Sequence, residues 1–506
     1  MAMVLAAMAV AGAWWGSGLL VRRAQGTRIP PLGDLRGVPG PVRAQLEQAD
    51  ALARANPQSA DALGALAIAW HASLVTDRAL EEYARAASLD PAAWRWVYYQ
   101  GLLLEERGRQ AEALEAFTRV TTANPVHGLS WFHLAEMAFK QGRLDDSERT
   151  YVLAGQAPPE RPFAPPGLTA RHIIPLAAYA QLGLARVAMD RGLGPQAAAT
   201  LDAIVAAYPS FGTARALRMQ MGSDAGEARE QPPAIVNAYV PPADPLLDAV
   251  VAESRVRDML LKHAAVAGRG GDDAWREFLV RRALEFNPQD PNVLMEMAAT
   301  LRSSGRCTEA LDYLAQRERL VPEDHVTVIE QGRCLSELGR LEEAETVLRR
   351  ATRVRDAAAE YNLGSVLDRR GKGDEARLRY ERALDIDPFY ARAMANLGVW
   401  YDRRGQSATG VALLQRAVRA APDTAEIYSN LGSVLIGARR LPEALQALDT
   451  AVALDPDSPE AHNNRGIALA QSRRRAEAAA EFEQALALNP NHLNARRNLE
   501  RLRSMR

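Results

Sequence analysis

Five asparagines recur at a fixed interval in the last third of the chain: Asn362, Asn396, Asn430, Asn464 and Asn498, each 34 residues after the one before. A carboxamide both donates and accepts hydrogen bonds, so a regular row of them can hold successive peptide groups of an extended chain whatever its side chains are. Their neighbours Tyr361, Ser365, Ser429, Ser433 and Asn463 are small or polar, as an open groove requires. Asp368-Arg369-Arg370-Gly371 recurs as Asp402-Arg403-Arg404-Gly405, which sets Arg369 and Arg403 near the rim, either reading an acidic segment or pairing with their own aspartates. The chemistry these residues offer is binding. The competing reading is that the asparagines satisfy polar groups within or between repeats.

No other constellation points to a reaction. The eight histidines, at 71, 127, 133, 172, 263, 325, 462 and 492, lack the short spacing of metal ligands. Cys307 and Cys334 form no Cys-x-x-Cys pair and are read either as a disulfide or as two buried thiols. There is no glycine-rich phosphate loop and no Gly-x-Ser-x-Gly, and the carboxylates sit three or four residues from arginines, as on solvated helix faces. The chain is therefore expected to be non-enzymatic, with no cofactor, no metal and no evident small-molecule substrate. Lys+Arg 61 nearly balances Asp+Glu 62, which argues against nucleic acid as the main ligand. The one basic cluster, Arg496, Arg497, Arg501, Arg503 and Arg506, reads as a solvated cap on the last repeat.

The asparagine row follows a wider periodicity. Ala357–Tyr390, Ala391–Thr424, Ala425–Ser458 and Pro459–His492 abut without a gap, with glycine at the eighth position (Gly364, Gly398, Gly432, Gly466) and proline at the thirty-second (Pro388, Pro422, Pro456, Pro490). Small residues at positions eight and twenty let two antiparallel helices approach, so that Gly432 and Ala444 should meet, and the proline ends the second helix. Weaker units precede them at 257–290, 291–324 and 325–356, and earlier at 60–93, 94–127, 128–161 and 178–211.

On these residues the chain resembles the tetratricopeptide repeat family. The resemblance implies an all-α solenoid, a right-handed superhelix of antiparallel helix pairs in which the first helix of each pair lines the concave face, with about eleven repeats in two arrays. The late repeats are similar to the repeat arm of O-linked N-acetylglucosamine transferases, where asparagines at the matching position hold substrate backbone; the catalytic half of those enzymes is missing here.

Two stretches break the period. Residues 157–175 carry six prolines, too many for a helix, and read as an extended brace within the first array (60–211). Residues 212–256, with Pro232-Pro233 and Pro241-Pro242, read as a semi-rigid elbow before the second array (257–492) and the capping helix 493–506.

Residues 1–21 hold no charged side chain and are followed by Arg22 and Arg23, before a linker and entry helix over 22–59. At 1.5 Å per residue the run can span a hydrocarbon core, so a single-pass anchor is expected, with a cleaved signal peptide as the rival. Arg22, Arg23 and Arg28 would keep the repeats cytoplasmic. The region from Pro30-Pro31-Leu32-Gly33-Asp34-Leu35 through Trp94 to Gly101 resembles bacterial repeat proteins that are often exported, and an extracytoplasmic, periplasmic placement is the expectation. The expected function is a membrane-tethered scaffold binding an extended segment of another protein. The alternative is an assembly or maturation factor that presents a client to an enzyme, as in cytochrome c maturation, surface-polymer export or an accessory arm of a glycosyltransferase.

Overall fold

A computed structural model describes residues 29–159, 161–166, 168, 171, 173–209, 211–222 and 240–504, and every regular element among them is an α-helix. The helices fall into two compact units that divide between Val293 and Leu294. The first unit holds α1 (Gly40–Ala55), α2 (Ala60–Ala72), α3 (Thr76–Leu89), α4 (Trp94–Glu106), α5 (Gln110–Ala123), α6 (Gly128–Lys140), α7 (Leu144–Gln156), α8 (Leu176–Asp190), α9 (Gly194–Ala207), α10 (Gly212–Gly222), α11 (Pro245–Glu253), α12 (Arg257–Arg269) and α13 (Asp273–Phe286). Helix α14 (Pro291–Ser303) crosses the division. The second unit continues with α15 (Cys307–Leu320), α16 (His325–Glu337), α17 (Leu341–Ala351), α18 (Ala357–Arg369), α19 (Gly373–Ile386), α20 (Ala391–Arg403), α21 (Ser407–Ala420), α22 (Ala425–Gly437), α23 (Leu441–Leu454), α24 (Pro459–Gln471), α25 (Arg475–Leu488) and α26 (Leu493–Ser504). The expected helix pairs are present from end to end.

Local chemistry explains each pair. Three first helices of the second unit begin at side-chain caps: Asp324 accepts from the Thr327 N–H, Asp356 from Ala359 and Ser458 from Ala461. The pair closes through its small positions. A Cβ on Gly432 would lie 2.4 Å from Leu448, one on Gly364 2.7 Å from Tyr380, and one on Gly466 2.5 Å from Phe482. The eighth position thus receives the large side chain at position twenty-four, and Ala444 at position twenty is wholly buried. Where position twenty approaches most closely the meeting is with backbone: a Cβ on Gly398 would stand 2.9 Å from the Gly410 carbonyl, and Ser147 Oγ donates to the Ala135 carbonyl at 3.1 Å.

The described parts of both interruptions are packed. In the first unit, the Arg171 side chain from the proline-rich stretch is buried between Asp248 and Asp272, donating at 2.7 and 2.8 Å, with its guanidinium 4.6 Å from the centre of the Trp275 ring. Phe163 stands edge-on to the same tryptophan, and Ile174 joins the core of α6 to α10. The expected elbow is helical over α10 and α11, and its second half folds into the first unit: Tyr98 donates to Asp244 at 2.7 Å, Tyr99 to the Leu246 carbonyl at 3.3 Å, and Ser254 to the Ala72 carbonyl at 2.6 Å. Residues 29–41 are pinned there too, by Arg54 on the Pro30 carbonyl and Arg255 on the Pro41 carbonyl.

No helix among the described residues is long and apolar enough to cross a membrane; the expected anchor, 1–21, lies outside them.

Candidate functional site

In the second unit the first helices of successive pairs touch one another, α16 with α18, α18 with α20, α20 with α22, α22 with α24 and α24 with α26, so they form one continuous face. The expected site residues lie along it, because positions 5, 6 and 9 of each repeat fall on one side of a helix. Their hydrogen bonds, however, run largely to the preceding repeat.

Asn464 donates to Ser429 at 3.1 Å and Asn498 to Asn463 at 2.9 Å, each joining the sixth position of one repeat to the fifth of the repeat before. Asn463, buried, also donates to Asn464 at 3.4 Å. Asn396 donates to Tyr380 at 3.2 Å, across to the second helix of the preceding pair. Asn362 bonds within its own helix, to the Ala358 carbonyl at 2.7 Å. Asn430 is half-buried and Ser433 exposed on α22.

A second row does the same at the helix ends. Arg369 donates to the carbonyl and hydroxyl of Ser336 at 2.7 and 2.6 Å, and Arg403 lies 3.5 Å from Asp368. Each arginine reaches back one repeat. The expected pairing with their own aspartates is replaced because a side chain near a helix C-terminus finds the preceding repeat's last carbonyls and acids beside it, and those favour a cation.

Three expected residues, Tyr361, Asn362 and Ser365, converge in a small cavity of about 170 Å³ with Arg333 and Glu337 of α16 and Arg392 of α20. This is where the face becomes a site. Arg333 is oriented by Glu330 at 2.6 Å, Arg392 is exposed, and Tyr361 packs against Tyr390 with ring centres 5.3 Å apart. Burial pushes the Tyr361 phenol up to about 12, so it stays a neutral donor at ordinary pH. Asn362 uses one amide hydrogen on its own helix and retains its carbonyl oxygen for a ligand. The cavity therefore offers two guanidinium groups, a phenol and an amide across three successive first helices.

Sequence reasoning missed Arg333, Glu337 and Arg392, since no column of identical residues marks them. The available signal was helical: Arg333 stands at the ninth position of its repeat and Arg392 at the second, both on the face of the sixth.

Cys307 and Cys334 are both buried free thiols, and Cys307 Sγ donates to Glu337 at 3.0 Å. Burial, the Glu337 bond and the neighbouring Cys334 push the Cys307 thiol well above its ordinary value, which leaves it unreactive. Among the described residues no cluster of histidine, cysteine and carboxylate could hold a metal ion.

A family model described as tetratricopeptide repeat matches residues 76–126, 111–165, 167–210, 329–391 and 396–459, and a second of the same description matches 431–506. Together they span more than half of the chain. No curated protein matches it. Similar solved structures include the APC/C hetero-tetramer Cut9-Hcn1, 14% identical over 91% of this chain and 98% of that one with a TM-score of 0.44. Yeast Tom70 is 15% identical over 88% of each chain with a TM-score of 0.34. YrrB, described as a repeat protein with an unusual peptide-binding site, is 24% identical over 37% of this chain and 97% of that one, with a TM-score of 0.29.

Proposed function

We propose, from the premise that this chain belongs to the tetratricopeptide repeat family, that it is a non-enzymatic scaffold whose second unit holds an extended segment of another protein along the face of its first helices. The observation that carries this reading is the cavity joining Arg333, Tyr361, Asn362, Ser365 and Arg392. Its groups suit main-chain carbonyls and carboxylates: the guanidinium groups and the phenol donate, and the Asn362 carbonyl accepts a peptide N–H. A segment reaching three helices must be extended, and groups that meet its backbone accept many side chains. The apolar run 1–21 tethers the scaffold to a membrane, with the repeats on its extracytoplasmic side.

Photo-crosslinking tests the groove. A crosslinking residue at Arg392 or Ser433 should capture the client, whereas one at Leu378, half-exposed on α19, should not. Equal capture from Leu378 would refute the assignment. For the tether, deleting 1–28 should release the protein from a membrane pellet, and pelleting that survives carbonate would rule out a sole anchor in that run.

A further inference from the structure

The first unit contains a larger and chemically different space. A cavity of about 770 Å³ lies over the first helices α4, α6 and α8 and is roofed by the chain itself, by Arg171, Ile173 and Ile174 on one side and by residues 240–248 and α12 on the other. Its floor is apolar at Phe132, Tyr179 and Leu182, and its roof at Ile173, Val240 and Trp275. Apolar walls around a few polar groups, at this volume, are the usual composition of a site for a small organic molecule.

The polar groups of the wall decide what kind. Each cation already faces an acid: Arg171 lies on Asp248 and Asp272, Arg186 on Glu136 at 2.7 Å, Lys262 on Glu106 at 2.7 Å, and Lys140 stands 3.9 Å from Glu105. A charged ligand would have to break one of these pairs or enter without a counter-ion, and both are costly in a partly buried site. A neutral ligand meets no such penalty.

One wall atom is left open to it. His133 Nδ1 lies 2.7 Å from Glu105 Oε2, and its ring stacks on Phe117 with centres 4.5 Å apart and planes 6° from parallel. Burial would raise the Glu105 carboxyl, but the His133 bond outweighs it and holds the group below its ordinary value, so it is ionised and can only accept. Nδ1 must then carry the hydrogen. No hydrogen bond to Nε2 is formed among the described residues, and a hydroxyl, which both donates and accepts, can pair with that atom.

We propose that this cavity binds an uncharged, mainly apolar small molecule bearing one hydroxyl group, of the class of prenols and ring alcohols, with that hydroxyl hydrogen-bonded to His133 Nε2. The site is independent of the groove in the second unit, and either assignment can fail without the other.

The test uses the whole chain and three probes with one tail: farnesol, farnesoate and farnesylamine. Calorimetry should show one farnesol per chain, with the anionic and cationic probes at least tenfold weaker. Leu217→Phe and Val266→Phe fill the cavity from opposite walls, and each should weaken farnesol at least tenfold while melting like the parent. His133→Phe keeps the stacking but removes the hydrogen-bonding nitrogen; it should weaken farnesol about two- to tenfold, the range of one hydrogen bond, and leave the affinity for the hydrocarbon farnesene unchanged. The assignment is overturned by non-saturable binding, by equal affinity for the three heads, or by folded filling variants that bind as the parent does. Should a filling variant fail to fold, the head series and the His133 variant still decide.

Discussion

The asparagine column is a row of bolts as much as a row of fingers. Asn464 and Asn498 each join two repeats, whereas Asn430 makes no such bond to its neighbour among the described residues. Asn464→Ala or Asn498→Ala should therefore lower the stability of the second unit by about 0.5 to 1.5 kcal/mol, the net worth of one hydrogen bond, and Asn430→Ala should be close to neutral. Denaturant midpoints check this, and pairing Asn464→Ala with Ser429→Ala should cost less than the sum of the two single changes. The column itself was visible in the sequence, because a fixed 34-residue interval is enough to reveal it. Its bonding was not. Only Asn464 and Asn498 bond the fifth residue of the repeat before, and that position changes from Tyr361 to Ala395, Ser429 and Asn463, so no repeated letter announces the bond.

At the level of the element, the helix pair and its turn set what a substitution costs. Gly432→Ala would place a methyl 2.4 Å from Leu448, inside any permitted contact, and should destabilise by roughly 1 to 3 kcal/mol with the loss of protection confined to α22, α23 and their neighbours. Hydrogen exchange resolves that locality. The turn inside most pairs holds a glycine in the left-handed region, such as Gly371 at φ 77 and Gly405 at φ 78, but the last two pairs have Arg439 at 58 and Arg473 at 63. An L side chain is strained there, so Arg439→Gly and Arg473→Gly should each raise the melting point, by about 1 kcal/mol of added stability. The glycine column, the proline column and the pairing of helices were all legible, since each is enforced by sterics at one position. The large side chain at position twenty-four that shares the eight-to-twenty contact was not legible, because the sequence shows which positions are small but not which large residue fills the space.

For the molecule as a whole, the two units should respond differently to acid. Burial lowers His71, His127 and His263 to about 4, and all three lie in the first unit. Their unfolded forms bind protons from about pH 6.5 while the folded forms do not, so stability is lost as pH falls through that window. Asp248 opposes them: burial, only partly offset by Arg171, raises it to about 6, a penalty present above that pH and relieved as pH falls toward 3.8. Glu82 and Asp244, which burial also raises, oppose them in the same sense, so the first unit should lose stability between pH 7 and pH 5 by less than the three histidines alone would cost. In the second unit the Glu481 bond raises His462, which adds stability at low pH and loses it as pH rises. Burial pushes Glu345 up, but its bonds to Lys372, Arg349 and Arg370 prevail and hold it at about 2, so its contribution is lost only below about pH 4.5. Hydrogen exchange at pH 5, corrected for intrinsic rate, should show the first unit opening and the second protected; equal loosening would contradict the histidine argument. The breaks at 157–175 and 212–256 were evident from their prolines, but their docking was not, for the contacts join residues far apart in the chain and follow no period.

That distance bears on how the gene can change. The cross-repeat bonds of the second unit, Asn464 to Ser429 and Asn498 to Asn463, each link residues 35 apart, so a repeat copied in or dropped out re-forms the same bonds with its new neighbour. In the first unit a single guanidinium, Arg171, joins residues 77 and 101 positions away, and Arg255 reaches back 214 to the Pro41 carbonyl. Copying or deleting one unit there would carry one partner off the other and leave buried charge exposed to no acid. The second unit is therefore free to vary in repeat number from one descendant to the next, and the first is held to the count it has.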